Sequence, residues 1–374
     1  MSRLITASAN AQLDEMLEDL CERLQLSETQ MKEAEGHYRT IGEWLADEDS
    51  AVSFYVPKIR AQGSVPQGTV VKPLKRDEYD IDLICLLSVG PRIQPVPRAL
   101  YELVATRLEE NANYRRMLQR DARCLTLSYA GQFKLDILPG IKDGRGGSGI
   151  EIPDREMNTW VHSDPFAFEE WFLERTHERA VMLAEREIEP LPTEQIGSTP
   201  LQRAVQLTKR HRDIEYKDRS DRPSSMLLTT LGGSFYEGQR ITSDALIAIL
   251  EGLCSVMEGA PDGRLQVPNP VDQTEDLAAG WSTEERRDFR SFVGNFVTKF
   301  RALLDARGIH VVQKGLAELF GEDLARTVIE SHAKRFQEAR ERGQVTVGRT
   351  AAGILGLGRT PEGRPIPRNT FFGS

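Results

Sequence analysis

From Asp80 to Ser88 the chain reads DIDLICLLS, a short and dense apolar run interrupted only at its start, by carboxylates. Its length and its Ile and Leu content predict a strand set into a core. Side chains alternate across a strand, so Asp80 and Asp82 share one face while Ile81 and Leu83 share the other. The fold must therefore bury one face of this strand and leave the other open where it carries two negative charges. Like charges this close repel unless a cation lies between them, and hard carboxylate oxygens favour magnesium or manganese.

A third carboxylate, Asp136, stands in FKLDILP at 133–139, a second apolar strand that can lie beside the first. Three such groups can hold two divalent ions ~4 Å apart, one activating an attacking hydroxyl and the other bridging a triphosphate and its leaving group. Upstream, Gly63 and Ser64 end the β-rich stretch SFYVPKIRAQ and suit a turn whose amides and hydroxyl grip phosphate. Gly68 and Thr69 extend that loop. Lys72, Lys75 and Arg76 read as a solvated basic loop, and Glu78, at the polar mouth of the strand, is set aside as a ligand.

Around this centre the periodicities predict an α+β chain. Leu13, Met16, Leu17, Leu20 and Leu24 are spaced for one helix; Ser27 and Gln30 form a capping box for a second, through Met31, Tyr38, Ile41 and Leu45. Strands at 80–88 and 124–139 are separated by a helix at 99–111, and 139–163, rich in Gly, Pro and Asp, reads as loop. Helices follow at 165–186, 199–216, 224–231, 242–257, 282–307 and 321–342. The expected division is a palm-like sheet domain with N-terminal helices (1–163), a helical domain (164–343) and a flexible tail (344–374).

Composition removes several classes. A formal charge of −9 and a pI near 5.4 disfavour a clamp for long nucleic acid, which needs a basic surface, but leave room for metal-escorted nucleotides. With mean hydropathy −0.42 and no long apolar window, no membrane span is expected, and the first residues lack a secretory core, which predicts a cytoplasmic protein. Cys21, Cys85, Cys124 and Cys254 are too scattered for a zinc site or disulfide framework, and Cys85 reads as a buried thiol. Along PLQRAVQLTKRHRDI at 200–214, Leu201, Val205 and either Leu207 or Thr208 point to a core. Gln202, Arg203, Gln206, Lys209 and Arg210 are left for other faces. KRHR at 209–212 can make a phosphate-binding wall, His211 reads as structural, and Tyr79 and Tyr216 as packing.

The segments GS (63–64), DIDL (80–83) and LDILP (135–139) resemble the motif of the polymerase-β-like nucleotidyltransferase superfamily. Helix 200–214 with RPSSMLLTTL at 222–231 is similar to the bacterial cGAS/DncV-like enzymes of CBASS anti-phage operons. The resemblance implies a nucleotide cleft between sheet and helical lobe, and two Mg2+ or Mn2+ ions on Asp80, Asp82 and Asp136. It also implies synthesis of cyclic di- or trinucleotides from ATP and other nucleoside triphosphates. It places donor phosphates against Lys209 and Ser225, Ser224 being the neighbouring candidate. The tail NTFFG resembles those that a ubiquitin-transfer-like ligase conjugates through a final glycine, here Gly373, although Ser374 follows it. The alternative reading is a nucleotidyltransferase that modifies a protein or RNA, or makes linear oligonucleotides.

Overall fold

The computed structural model describes residues 2–74, 79–90, 95–129, 131, 133–176, 198–260, 264–342, 345–347, 355–357 and 364–365, with side chains described within 11–342. The sheet half holds β1 (Lys58–Gln62), β2 (Tyr79–Leu87), β3 (Leu118–Arg120), β4 (Leu125–Tyr129) and β5 (Phe133–Lys142), in spatial order β1-β2-β5-β4-β3. β2 and β5 run parallel and the remaining pairs antiparallel. The parallel pair is possible because helices α3 (Pro97–Glu110) and α4 (Ala112–Met117) occupy the crossover. Ile81, Leu83, Leu135 and Ile137 are fully buried against Tyr38 and Ile41 of α2 (Glu28–Ala46) and Leu100, Tyr101 and Val104 of α3. That face of the sheet is the core; the alternate residues Asp80, Asp82, Lys134, Asp136 and Leu138 emerge on the other.

Several regions depart from expectation. The stretch 139–163 is not a loop: β5 continues to Lys142, and a hairpin of β6 (Ile150–Asp154) and β7 (Thr159–Ser163) extends the sheet. Its Ile150 and Ile152 pack on Ile84, an apolar alternation that the surrounding glycines conceal. The first helix, α1 (Ser2–Leu24), adjoins the palm in sequence, yet its Leu13, Leu17 and Leu20 join the helical core rather than the sheet.

That second core gathers α5 (Pro165–Arg175), α6 (Pro200–Glu215), α7 (Ser225–Phe235), α8 (Thr242–Gly259), α9 (Thr283–Leu304), α10 (Ile309–Phe320) and α11 (Glu322–Glu341). α6 lies at its centre: every residue from Leu201 to Arg212 except Arg203 is buried, so its polar positions are enclosed rather than solvated. Reciprocal capping boxes start α2 at Ser27, α6 at Thr199 and α9 at Ser282. A short hairpin, β8 (Pro268–Asn269) with β9 (Asp272–Asp276), interrupts the helices where helical patterning predicts none. Within 344–374 the stretches Val345–Val347, Leu355–Leu357 and Arg364–Pro365 pair antiparallel. Gly373, Lys75, Arg76, Glu78 and the segment 177–197 lie outside the described residues. Among the described residues, no helix is long and apolar enough to cross a membrane.

Candidate active site

The open face of β2 and β5 floors a cavity of about 890 Å³ whose opposite wall comes from α6 and α7. Gly63, Ser64, Asp80, Asp82, Asp136, Lys209 and Ser225 all line it. Parallel pairing sets Asp82 directly opposite Asp136, and the β1–β2 ladder sets Gln62 opposite Asp82. The chain leaves β1 through Gly63 at φ +69°, where a Cβ would stand 2.7 Å from Asp82 Oδ2; only glycine lets the turn come this close to the carboxylate. The turn closes on itself through Thr69 N donating to Ser64 O at 2.9 Å.

Burial, then the neighbouring Asp136 and Asp80, push the Asp82 carboxyl up to about 7, with Lys209 opposing. Asp136 is oriented by Thr126, whose hydroxyl donates to its Oδ1 at 2.5 Å across the β4–β5 ladder. Among the described residues no three His, Cys, Asp or Glu side chains are already drawn together as a ligand cluster. The site instead holds an oxygen-only donor set in which burial, and after it the neighbouring carboxylates, suppress ionisation of Asp82, a condition a hard divalent cation relieves. That chemistry fits magnesium or manganese and offers nothing to a thiolate-seeking metal, since no cysteine lines the cavity.

Lys209 is not on a solvated face. It is 3% exposed, and its Nζ donates to Thr69 Oγ1 at 2.9 Å. Burial, with help from Arg212, lowers its ammonium to about 7 against the opposing pull of Asp213 and Asp82. Of the KRHR run, only Lys209 and Arg212 reach the cavity. Arg210 donates to Phe320 O and Lys72 O, while His211, fully buried, packs on Phe296 and shares a hydrogen bond with Leu319 O. The two adjacent serines divide the work at the start of α7. Ser224 is the N-cap, accepting from Leu227 N, whereas Ser225 faces the cavity and accepts from Arg212 Nη1 at 3.1 Å. Tyr79 donates its hydroxyl to Gln25 O and Tyr216 packs edge-on to Phe292, although both reach the cavity wall.

Sequence reasoning took in Arg212 only as part of the KRHR wall and did not single it out, although three residues after Lys209 it shares that face of the helix. It also passed over Gln202 and Gln206. These donate from α6 to Gln67 O and Val70 O of the turn loop, contacts between residues about 135 positions apart that no local pattern reveals.

A family model described as the Second Messenger Oligonucleotide or Dinucleotide Synthetase domain matches residues 12–175. The chain is 31% identical to the c-di-GMP synthase of Roseivirga ehrenbergii, over 99% of this chain and 100% of that one. It is 27% identical to the cyclic dinucleotide synthase CdnG of Bradyrhizobium diazoefficiens, over 72% and 70% of the two chains. In three dimensions it resembles the solved CD-NTase CdnG of B. diazoefficiens in complex with GTP, with a TM-score of 0.71 at 23% identity over 86% of this chain and 99% of that one. Escherichia coli DncV, in its 3′-deoxy GTP bound form, gives 0.56 at 18% identity over 88% and 90%.

A mixed sheet with aspartates on adjacent strands, a glycine-serine turn at its edge and a helical lobe above is the polymerase-β-like nucleotidyltransferase fold. Within that class the chain belongs to the cGAS/DncV-like nucleotidyltransferases, the CD-NTases. It is an enzyme of cyclic oligonucleotide synthesis from nucleoside triphosphates.

Proposed function

We propose that this enzyme condenses two molecules of GTP into c-di-GMP. The observation that carries the reading is the gathering of Asp80, Asp82, Asp136, Gly63, Ser64, Lys209 and Ser225 on one cavity, with Asp82 and Asp136 in register. The choice of product is supported by the full-length relationship to a c-di-GMP synthase and by the likeness to CdnG solved with GTP.

In the proposed reaction a ribose hydroxyl of one GTP attacks the α-phosphorus of the other. A P–O bond forms, the bond to pyrophosphate breaks, and the hydroxyl proton leaves to a base; repetition from the second nucleotide closes the ring. Asp80, Asp82 and Asp136 would hold two Mg2+ or Mn2+ ions. When bound, these ions supply positive charge that favours the alkoxide and offsets charge on the leaving pyrophosphate. The Gly63–Ser64 turn grips the donor triphosphate by its amides and hydroxyl. Lys209 adds a cation and Ser225 a hydroxyl proton, because the lone pair facing Arg212 is already engaged.

The test is incubation of the purified protein with GTP, ATP, CTP and UTP, singly and mixed, with Mg2+, followed by phosphatase treatment and mass spectrometry. GTP alone should give a phosphatase-resistant product with the mass of c-di-GMP. A mixed-base ring would overturn the choice of substrate, and a linear chain or a labelled protein or RNA would overturn the cyclase reading.

The likeness to the CBASS synthases extends the proposal to anti-phage signalling, in which the product activates a neighbouring effector. Cells carrying the whole operon should resist phage, and cells with Asp80→Ala and Asp82→Ala should not. Equal resistance in both would remove the enzyme from the defence.

A further inference from the structure

We infer that Gln202 and Gln206 are positioning residues: a buried polar seam along α6 sets the triphosphate-gripping loop of the sheet half against Lys209 of the helical half. The inference rests on the proposed role of the Gly63–Ser64 turn. Gln202, Gln206 and Lys209, at spacings of four and three, form one stripe of a helix. All three are buried, Gln206 completely. Each is spent on the loop that follows the Gly63–Ser64 turn. Gln202 Nε2 donates to Gln67 O at 2.9 Å, Gln206 Nε2 to Val70 O at 2.9 Å, and Lys209 Nζ to Thr69 Oγ1 at 2.9 Å. On the flank of the stripe, Arg210 Nη1 donates to Lys72 O at 3.2 Å.

A seam of this kind fixes distance in a way an apolar contact does not. A backbone carbonyl shut away from water is costly unless it receives a donor, so sliding the loop along α6 by one residue leaves several groups unsatisfied at once. The loop is shaped for the contact. Gly68 has φ +65°, and a Cβ there would stand 2.5 Å from Gln202 Nε2. Gln202 is further locked because its Oε1 accepts from Thr199 N at 2.8 Å in the capping box of α6. One side chain thus ties the start of the helix to the loop, and Lys209, two turns along, is held at a set distance from Ser64 and Asp82.

Three variants separate positioning from packing. Gln202→Glu keeps the acceptor that the capping box requires and removes the donor to Gln67 O. Gln206→Leu removes the donor to Val70 O. Gly68→Ala leaves both glutamines in place and pushes the loop off Gln202. Steady-state kinetics with GTP and Mg2+ and thermal melting are measured for each. The expected result is a rise in KM for GTP of about tenfold or more with a smaller change in kcat, shared by all three variants whatever their melting temperatures. Soluble variants with lowered melting temperatures and wild-type KM would overturn the inference and leave the seam structural. Should Gln206→Leu fail to fold, Gln202→Glu and Gly68→Ala decide. A wild-type enzyme that neither binds nor converts GTP would instead sink the proposed function, so the two failures are distinguishable.

Discussion

Asp82 and Asp136 stand opposite one another on adjacent parallel strands, with Asp80 two residues before the first. Burial first, and then the charges of Asp136 and Asp80, hold the proton on Asp82 up to about 7. Replacing Asp82 with Asn should therefore abolish synthesis, by about 10²- to 10³-fold or more, without lowering the melting temperature measured in EDTA. A large loss of stability would mean that the carboxylate is structural, and retained turnover would remove it from the metal site.

The same two perturbed groups predict a proton signature for substrate binding. Asp82, raised to about 7, holds a proton below that value and gives it up when a cation binds. Lys209, lowered to about 7, lacks a proton above that value and takes one up when phosphate arrives. Calorimetry of Mg2+ and GTP binding in buffers of different ionisation enthalpy should show net release near about pH 6 and net uptake near about pH 8. Asp82→Asn should erase the first and Lys209→Met the second. Uptake at high pH that survives in Lys209→Met would assign it elsewhere.

Linkage carries the same groups into stability of the ligand-free protein. A carboxyl raised from 3.8 to about 7 contributes stability below 3.8 that is lost as pH rises through about 7. An ammonium lowered from 10.5 to about 7 contributes stability above 10.5 that is lost as pH falls through about 7. Between them the two groups make the apo protein least stable near neutrality. Relative to wild type, Asp82→Asn should gain melting temperature from acid toward pH 7, and Lys209→Met from alkaline pH toward 7. Parallel profiles for wild type and both variants would contradict this.

The acidic floor of the site was legible because a strand's alternation is local: Ile81 and Leu83 announce one face and thereby assign Asp80 and Asp82 to the other. The hairpin at 150–163 was hidden because its apolar positions, Ile150 and Ile152, sit among residues that ordinarily make turns. The environment of α6 was hidden for a different reason. Gln202, Gln206, Lys209 and Arg210 are residues that normally face water, and what encloses them is a loop from the other half of the chain and, for Arg210, the end of α10. Helical periodicity reports which side of a helix is apolar; it does not report that polar groups are paired out of sight.

Gly63 gives a compact test of the turn. Its φ of +69° disfavours any side chain, and a methyl group would press on Asp82 Oδ2 from 2.7 Å. Gly63→Ala should destabilise the fold by about 1–2 kcal/mol and cost far more activity than that strain alone implies, because it displaces the Asp82 oxygen proposed to hold a metal ion. Gly144, also at positive φ but with open space around it, supplies the control: Gly144→Ala carries the backbone strain and should spare turnover. Equal kinetic effects at both positions would show that the turn does not govern Asp82.

The two serines at the head of α7 should separate cleanly. Ser224 caps the helix through Leu227 N, so Ser224→Ala should cost about 1 kcal/mol of stability and leave KM for GTP unchanged. Ser225 makes no capping bond and holds its hydroxyl at the cavity with Arg212 behind it. Ser225→Ala should raise KM for GTP about tenfold, the scale of one hydrogen bond to a charged phosphate, with little effect on melting. Ser225→Thr, which restores a hydroxyl, should recover much of that loss. If instead Ser224→Ala raises KM and Ser225→Ala does not, the phosphate contact belongs to the first serine, and the cap has to rearrange when nucleotide binds.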